Sequence, residues 1–351
     1  MAAQVIATPK KADMPIERRK DLIRQIQQKR GDSRLICCLT SDRDNAQGLI
    51  AKDFLFRFFQ HLRATPNLDK LDILLFTLGG DTLAAYALSR FVRQYGKKIG
   101  VLIPHMCLSG GTLFALGADE IVMTRLAALS SIDPSINGPL NPTAEVPLLG
   151  MPVGIPVQKI PVPVGVESVA GFKKLVREEW RLDEEGTAQA FRLLTEKVNP
   201  LLLGDLQRSK EQIVRLATSL MKLHSAPLDG DRIKNVVETL ASGLGSHDYL
   251  LGAAEARDDV KLHVADENPE LEDLILRLYE DFAEEMELGT PFNPLEAQTP
   301  PQQQSPGRPV VTSRIAKIVM IESLERTDVW EREFVAVGPN QVQMRRNHWR
   351  K

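Results

Sequence analysis

Short apolar runs alternate with longer stretches in which apolar residues recur every three or four positions. That is the pattern of strands followed by amphipathic helices. Arg34–Thr40 is the first apolar run and predicts a buried strand. Leu49, Ile50, Phe54, Phe58, Phe59 and Leu62 then recur at near-helical spacing and predict a helix ending near Arg63, with its aromatics in the core. A loop over 64–70 leads to a second apolar strand that opens at Leu71. Residues 82–95 predict a helix whose apolar face is Leu83, Ala87, Leu88, Phe91, Val92 and Tyr95. A third strand covers 101–103, and residues 112–118 are apolar almost throughout, so that helix is expected to be buried on all sides. Strands alternating with helices imply parallel pairing with right-handed crossovers.

The flanking regions carry weaker patterns. Residues 1–15 read as disordered, and 16–29 as a charged helix with little apolar face, placed at the surface or against a partner. Residues 138–165 are rich in proline, glycine and valine, which excludes a long helix and predicts an irregular excursion over one face. Four helices follow at 167–181, 184–198, 206–224 and 231–244, then a last strand at 262–264 and a helix at 270–288. Residues 289–309 are proline- and glutamine-rich and read as a linker. Beyond it, 315–321, 329–337 and 342–344 alternate like short strands, and Arg345 to Lys351 reads as a basic, solvated tail. The expected layout is an extension at 1–30, a main domain at 31–288 with a helical arm at about 167–244, a disordered linker at 289–309 and a small β segment at 310–351.

Candidate chemistry gathers at two turns. Gly79-Gly80-Asp81 and Ser109-Gly110-Gly111 each sit where an apolar strand gives way to a helix. Glycine pairs allow a sharp turn and close backbone approach. Ser109 is the one hydroxyl at the second turn, beside helix-start N–H groups that have no helical partner. A nucleophile on such an elbow gains an oxyanion site. Gly79 and Gly110 are the expected backbone donors, with Gly80, Thr112 and Asp133 lining the site.

With 43% hydrophobic residues in 351, the chain can bury a sizeable core, and a net charge of −2 gives no global reason to expect nucleic acid or an anionic membrane. Three cysteines, Cys37, Cys38 and Cys107, read as reduced core residues, and no CxxC or histidine cluster suggests a metal. The first twenty residues lack an apolar signal region, and no run of about twenty apolar residues predicts a membrane span. No cofactor is called for.

The motifs Thr77-Leu78-Gly79-Gly80, Cys107-Leu108-Ser109-Gly110-Gly111-Thr112, Gly117-Ala118-Asp119-Glu120-Ile121-Val122-Met123 and Ser131-Ile132-Asp133-Pro134 stand in order, with Ser246-His247-Asp248-Tyr249 and Glu255-Ala256 further on. Over roughly residues 33–265 this set resembles the signal peptide peptidase A and Clp-protease branch of the crotonase-like superfamily. It is most similar there to the serine dehydrogenase proteinase family. The resemblance implies an α/β spiral of strand-strand-helix units with a helical arm. It also implies a cytosolic serine peptidase acting on peptide or protein substrates through Ser109, and a homo-oligomer. In the Clp subunit a histidine follows the serine by one strand; here Asp133 stands near that position. A serine needs a base, and three candidates stay open. Lys210 is one, by likeness to the serine–lysine branch; Lys159 is another; His247 is the third, by likeness to the segment that brings the last triad member. His105, on the strand before Ser109, reads as a core residue. A catalytically silent scaffold is the competing reading. A coenzyme A-dependent crotonase would not need the serine elbow.

Overall fold

The computed structural model describes residues 14–65, 67–136, 138–146, 158–297, 313–338 and 341–350. The expectations for 1–13, for 147–157 of the proline-rich excursion and for 298–309 of the linker lie outside them. In chain order the elements are α1 (Met14–Lys29), β1 (Arg34–Thr40), α2 (Phe54–Leu62), β2 (Leu68–Phe76), α3 (Thr82–Arg93), β3 (Gly96–Ile103) and β4 (Met106–Cys107). Then come α4 (Gly110–Ala115), β5 (Glu120–Met123), β6 (Ala128–Leu129), β7 (Ser135–Ile136), β8 (Thr143–Val146), β9 (Gln158–Pro161), β10 (Val164–Gly165) and α5 (Val166–Lys174). The chain continues through α6 (Glu184–Lys197), α7 (Pro200–Met221), α8 (Gly230–Glu238), α9 (Ala253–Asp258) and α10 (Pro269–Met286) to β11 (Ser313–Ser323), β12 (Arg326–Gly338) and β13 (Gln341–Arg350). Two compact units divide it: residues 1–130, 220–229 and 250–351 form one, and 131–219 and 230–249 the other.

The first unit is built on a seven-stranded sheet of order β13-β12-β11-β1-β2-β3-β5. β1, β2, β3 and β5 run parallel, with Leu35 opposite Asp72, Ile73 opposite Val101 and Leu102 opposite Val122. Their near-continuous apolar sequences fit strands covered on both faces. The three C-terminal strands extend this sheet antiparallel, Cys38 of β1 pairing with Ile321 of β11. The C-terminal β segment is therefore part of the main sheet, and the expected basic tail is strand β13 up to Arg350. Its Trp349 explains the difference: the indole N–H donates to Asp53 (2.7 Å) and the ring packs edge-on to Phe54 and Trp330.

Three other expectations are corrected in this unit. α1 is not a surface helix: Leu22, Ile23 and Ile26 are buried with Leu274, Ile275, Leu278 and Phe282 of α10. Each such side chain contributes about 1.5–3 kcal/mol. Arg19 is fully buried beside them, bonded to Asp281 (3.0 Å), Glu322 (3.1 Å) and Glu285. These partners lie more than 260 residues away, so local charge patterning could not reveal them. The face of α3 is rotated: Ala84, Ala85, Leu88, Ser89 and Val92 are buried, whereas Leu83 is 46% exposed. Small residues win because α4 comes close; Ser89 Oγ donates to the Phe114 carbonyl (3.0 Å). Finally, the linker's first part is anchored. Phe292 is buried against Phe334, and its N–H donates to the Asp44 carbonyl (2.9 Å).

His105, expected in the core, is only partly buried; it stacks on Phe76 and is bonded to the Tyr279 hydroxyl (3.2 Å). The three cysteines are buried and unpaired. In the second unit α5, α6, α7 and α8 form the helical arm, and the excursion holds two short antiparallel pairs, β8 with β9 and β7 with β10. Val166, Leu202 and Leu206 form a small apolar cluster there.

Candidate active site

The elbow is assembled from the ends of β2 and β4. Thr77 donates its N–H to the Met106 carbonyl and Leu108 donates to the Thr77 carbonyl (both 2.9 Å), so the two glycine turns are laced side by side. Ser109 follows at φ 49°, ψ −111°. A non-glycine residue held there costs about 1–3 kcal/mol and persists only where its surroundings over-determine it. They do so through a chain of bonds. Ser109 N–H donates to Ser130 Oγ (2.8 Å), Ser130 N–H to Thr112 Oγ1 (3.0 Å), and the Thr112 hydroxyl to the Cys107 carbonyl (2.9 Å). Thr112, expected to line the site, is fully buried and braces the elbow instead. Ser109 itself is half-buried.

The first glycine turn lies against this elbow. Gly79 and Gly80 have φ of 119° and 146°. A Cβ on Gly79 would lie 2.9 Å from that of Ser109, and one on Gly80 would overlap the Ile50 backbone. Ile50, expected in the helix, lies before it: its N–H donates to the Gly79 carbonyl (2.8 Å) and its carbonyl accepts from the Asp81 N–H (2.9 Å). α2 therefore begins at Phe54. The expected donor Gly79 is corrected here: its N–H donates to Thr77 Oγ1 (3.1 Å). A Cβ on Gly110 would lie 3.2 Å from the Gly80 nitrogen, so the Gly80 and Gly110 amides are neighbours. Among the described residues neither N–H has an acceptor. The signal for this swap was in the sequence: a hydroxyl residue two positions ahead of the glycines competes for the first amide.

The second unit holds the base candidates. His247 Nδ1 and Asp133 Oδ1 are 2.8 Å apart, with the carboxylate 3% exposed and the imidazole 40% exposed. The bond to Asp133 holds the imidazole above its usual range, against the opposing effect of burial. Burial pushes the Asp133 carboxyl up, but bonds from His247 and Ser131 outweigh it and hold the group low. Lys210 faces Glu167 across 3.9 Å. A base lysine must shed its proton, which desolvation without a counter-charge favours; this pair is the opposite arrangement. Lys159 is exposed on β9. A second serine–histidine–aspartate set exists at Ser323, His61 and Asp328, with His61 Nδ1 2.8 Å from Ser323 Oγ and Nε2 3.2 Å from Asp328. All three are buried in the first unit, so no substrate reaches them. Among the described residues no histidine, cysteine and carboxylate cluster could hold a metal ion, and no helix is long and apolar enough to cross a membrane.

A mixed sheet whose parallel strands deliver a strained serine beside a glycine turn defines an α/β protein. Residues 3–146 match the family model of the ClpP-like SDH-type serine proteinases. Two uncharacterized proteins of Methanocaldococcus jannaschii are similar. One is 25% identical over 209 residues, covering 59% of this chain and 58% of that protein. The other is 24% identical over 197 residues, covering 56% and 53%. The chain thus spans a little over half the length of these relatives. Among solved structures, the membrane-bound stomatin-specific protease 1510-N gives a TM-score of 0.36 at 14% identity, covering 64% of this chain and 78% of that one. ClpP1 from Listeria monocytogenes gives 0.33 at 12%, covering 70% and 99%.

Proposed function

We propose that this chain is a serine peptidase in which Ser109 is the nucleophile, His247 its base, Asp133 the group that orients the base, and the Gly80 and Gly110 amides the oxyanion hole. The observation that carries the reading is the strained Ser109 beside two backbone N–H groups without acceptors. A general base takes the Ser109 proton as Oγ attacks the scissile carbonyl, and His247, its imidazole oriented by the Asp133 carboxylate, is the residue assigned that role. The oxyanion that forms accepts from Gly80 and Gly110. The protonated base then returns the proton to the leaving amine, and water repeats the sequence on the acyl-enzyme. The members follow the chain order Ser109, Asp133, His247, and Asp133 comes three residues after Ser130, the hydroxyl that holds Ser109. Reduced, buried cysteines support a cytosolic setting. The exposed Trp180, Phe191, Leu193 and Leu201 of the helical arm support assembly with further copies.

The test is Ser109→Ala. Peptidase activity is expected to fall by about three or more decades and fluorophosphonate labelling to vanish, with sedimentation unchanged. Full activity in purified Ser109→Ala would end the reading, and wild-type protein that neither labels nor cleaves would favour the silent scaffold.

A further inference from the structure

We propose that Thr77 is a positioning residue for the oxyanion hole, its hydroxyl setting the direction of the Gly80 N–H. The proposal rests on the serine-peptidase reading above. The argument begins with the proton inventory of a threonine hydroxyl, one donor and two lone pairs. Thr77 Oγ1 donates its proton to the Gly79 carbonyl (3.1 Å). Its lone pairs accept the Gly79 N–H (3.1 Å) and the Thr40 hydroxyl proton (3.0 Å). Every valence of the group is used, and both threonines are fully buried, so water does not substitute for any of the bonds.

The consequence for Gly80 follows from peptide geometry. The Gly79 carbonyl and the Gly80 N–H belong to one planar trans unit and point in opposite directions. Fixing the carbonyl fixes the amide. Two donors fix it, Thr77 Oγ1 and the Ile50 N–H (2.8 Å). Both flanking residues are glycines, whose wide conformational range makes rotation of that peptide plane easier than elsewhere. Rotation would withdraw the Gly80 N–H and turn a carbonyl oxygen toward the developing oxyanion. Thr77 Oγ1 also holds the N–H on the other side of Gly79, so one buried hydroxyl restrains two successive peptide planes. Its methyl group does separate work: a Cβ on Gly111 would meet Thr77 Cγ2 at 2.6 Å, which marks how closely the two turns pack.

Thr77→Val keeps the branched shape and removes the hydroxyl. The full-length variant should show kcat reduced about 10- to 100-fold, between misplacement and outright loss of an oxyanion donor. KM should stay within about twofold, because the affected bond strengthens only in the transition state. Thr77→Ser should restore kcat to within about threefold of wild type. Rates are referred to the concentration of sites titrated by a fluorophosphonate, since a merely structural role would lower the number of active sites and leave kcat per site alone. Should Thr77→Val not fold, Thr77→Cys replaces it, with its weaker, longer bonds again lowering kcat at constant KM. Unchanged kcat per site in the folded variant, while Ser109→Ala is inactive, overturns the positioning role and leaves the peptidase reading intact. Activity that survives Ser109→Ala overturns both.

Discussion

Replacing Asp133 with asparagine isolates the electrostatics of the base from its geometry. The carboxylate accepts only, so opposite it His247 carries its proton on Nδ1 and leaves Nε2 free for the proposed role of base. An amide can donate to Nδ1 and stabilise the other tautomer, whose Nε2 already bears a proton. The side chain is nearly isosteric and the site is buried, so packing is retained. The expected loss in kcat is about three to four decades, or about 4–5.5 kcal/mol of transition-state stabilisation. A pH profile gives an independent readout. The Asp133 bond is the largest influence holding His247 above 6.5, and a base must be neutral to act. The acid limb of kcat/KM in wild type should therefore lie above pH 6.5 and move down in Asp133→Asn. Stability runs the other way. The raised His247 contributes stabilisation that is complete below 6.5 and lost as pH rises through its folded value. The depressed Asp133 contributes stabilisation present above 3.8 and lost as pH falls through its folded value. The pair thus stabilises the fold most between 3.8 and 6.5, to the acid side of the range where it works as a base. Hydrolysis of a fluorogenic peptide from pH 5 to 9 is the assay. Asp133→Asn with kcat within threefold of wild type and an unmoved acid limb would refute the role of this pair.

Lys210→Met should leave kcat within about threefold of wild type, since an ion pair with Glu167 is not the environment of a base lysine; a loss matching Ser109→Ala would transfer the role to Lys210. Gly80→Ala should abolish activity and cost about 2–4 kcal/mol in urea melts, because a side chain at φ 146° meets the Ile50 backbone; a near-normal melt would contradict that contact. Burial lowers His61 from 6.5 to about 4. Because the unfolded chain binds this proton first, stability should decline as pH falls through that interval, by up to about 3 kcal/mol. His61→Gln should flatten this part of the stability curve, and an unchanged slope would mean that His61 is not its source.

The core of the fold was legible because its signals are local. Three of the four parallel strands were predicted as apolar runs, and both glycine turns and Ser109 stand where a strand period gives way to a helical one. Ser109, Gly80 and Gly110 could be named from residue type and spacing, whereas Asp133 and His247 were named through the family resemblance. What spacing could not express was which partner each group would find. Gly79 or Gly80 as donor depends on a single hydrogen bond to Thr77. The proposal of His247 over Lys210 as base rests on one histidine meeting a carboxylate 114 positions earlier and one lysine meeting a glutamate. Burial of α1 depends on Arg19 finding acids more than 260 positions away, and the place of β13 in the main sheet on the contacts of Trp349. A linear pattern reports the propensity of a segment and the face it can bury. Hydrogen-bond and ion-pair partners far along the chain are chosen only when the backbone has folded, since each choice is a competition among all the groups brought within about 3 Å.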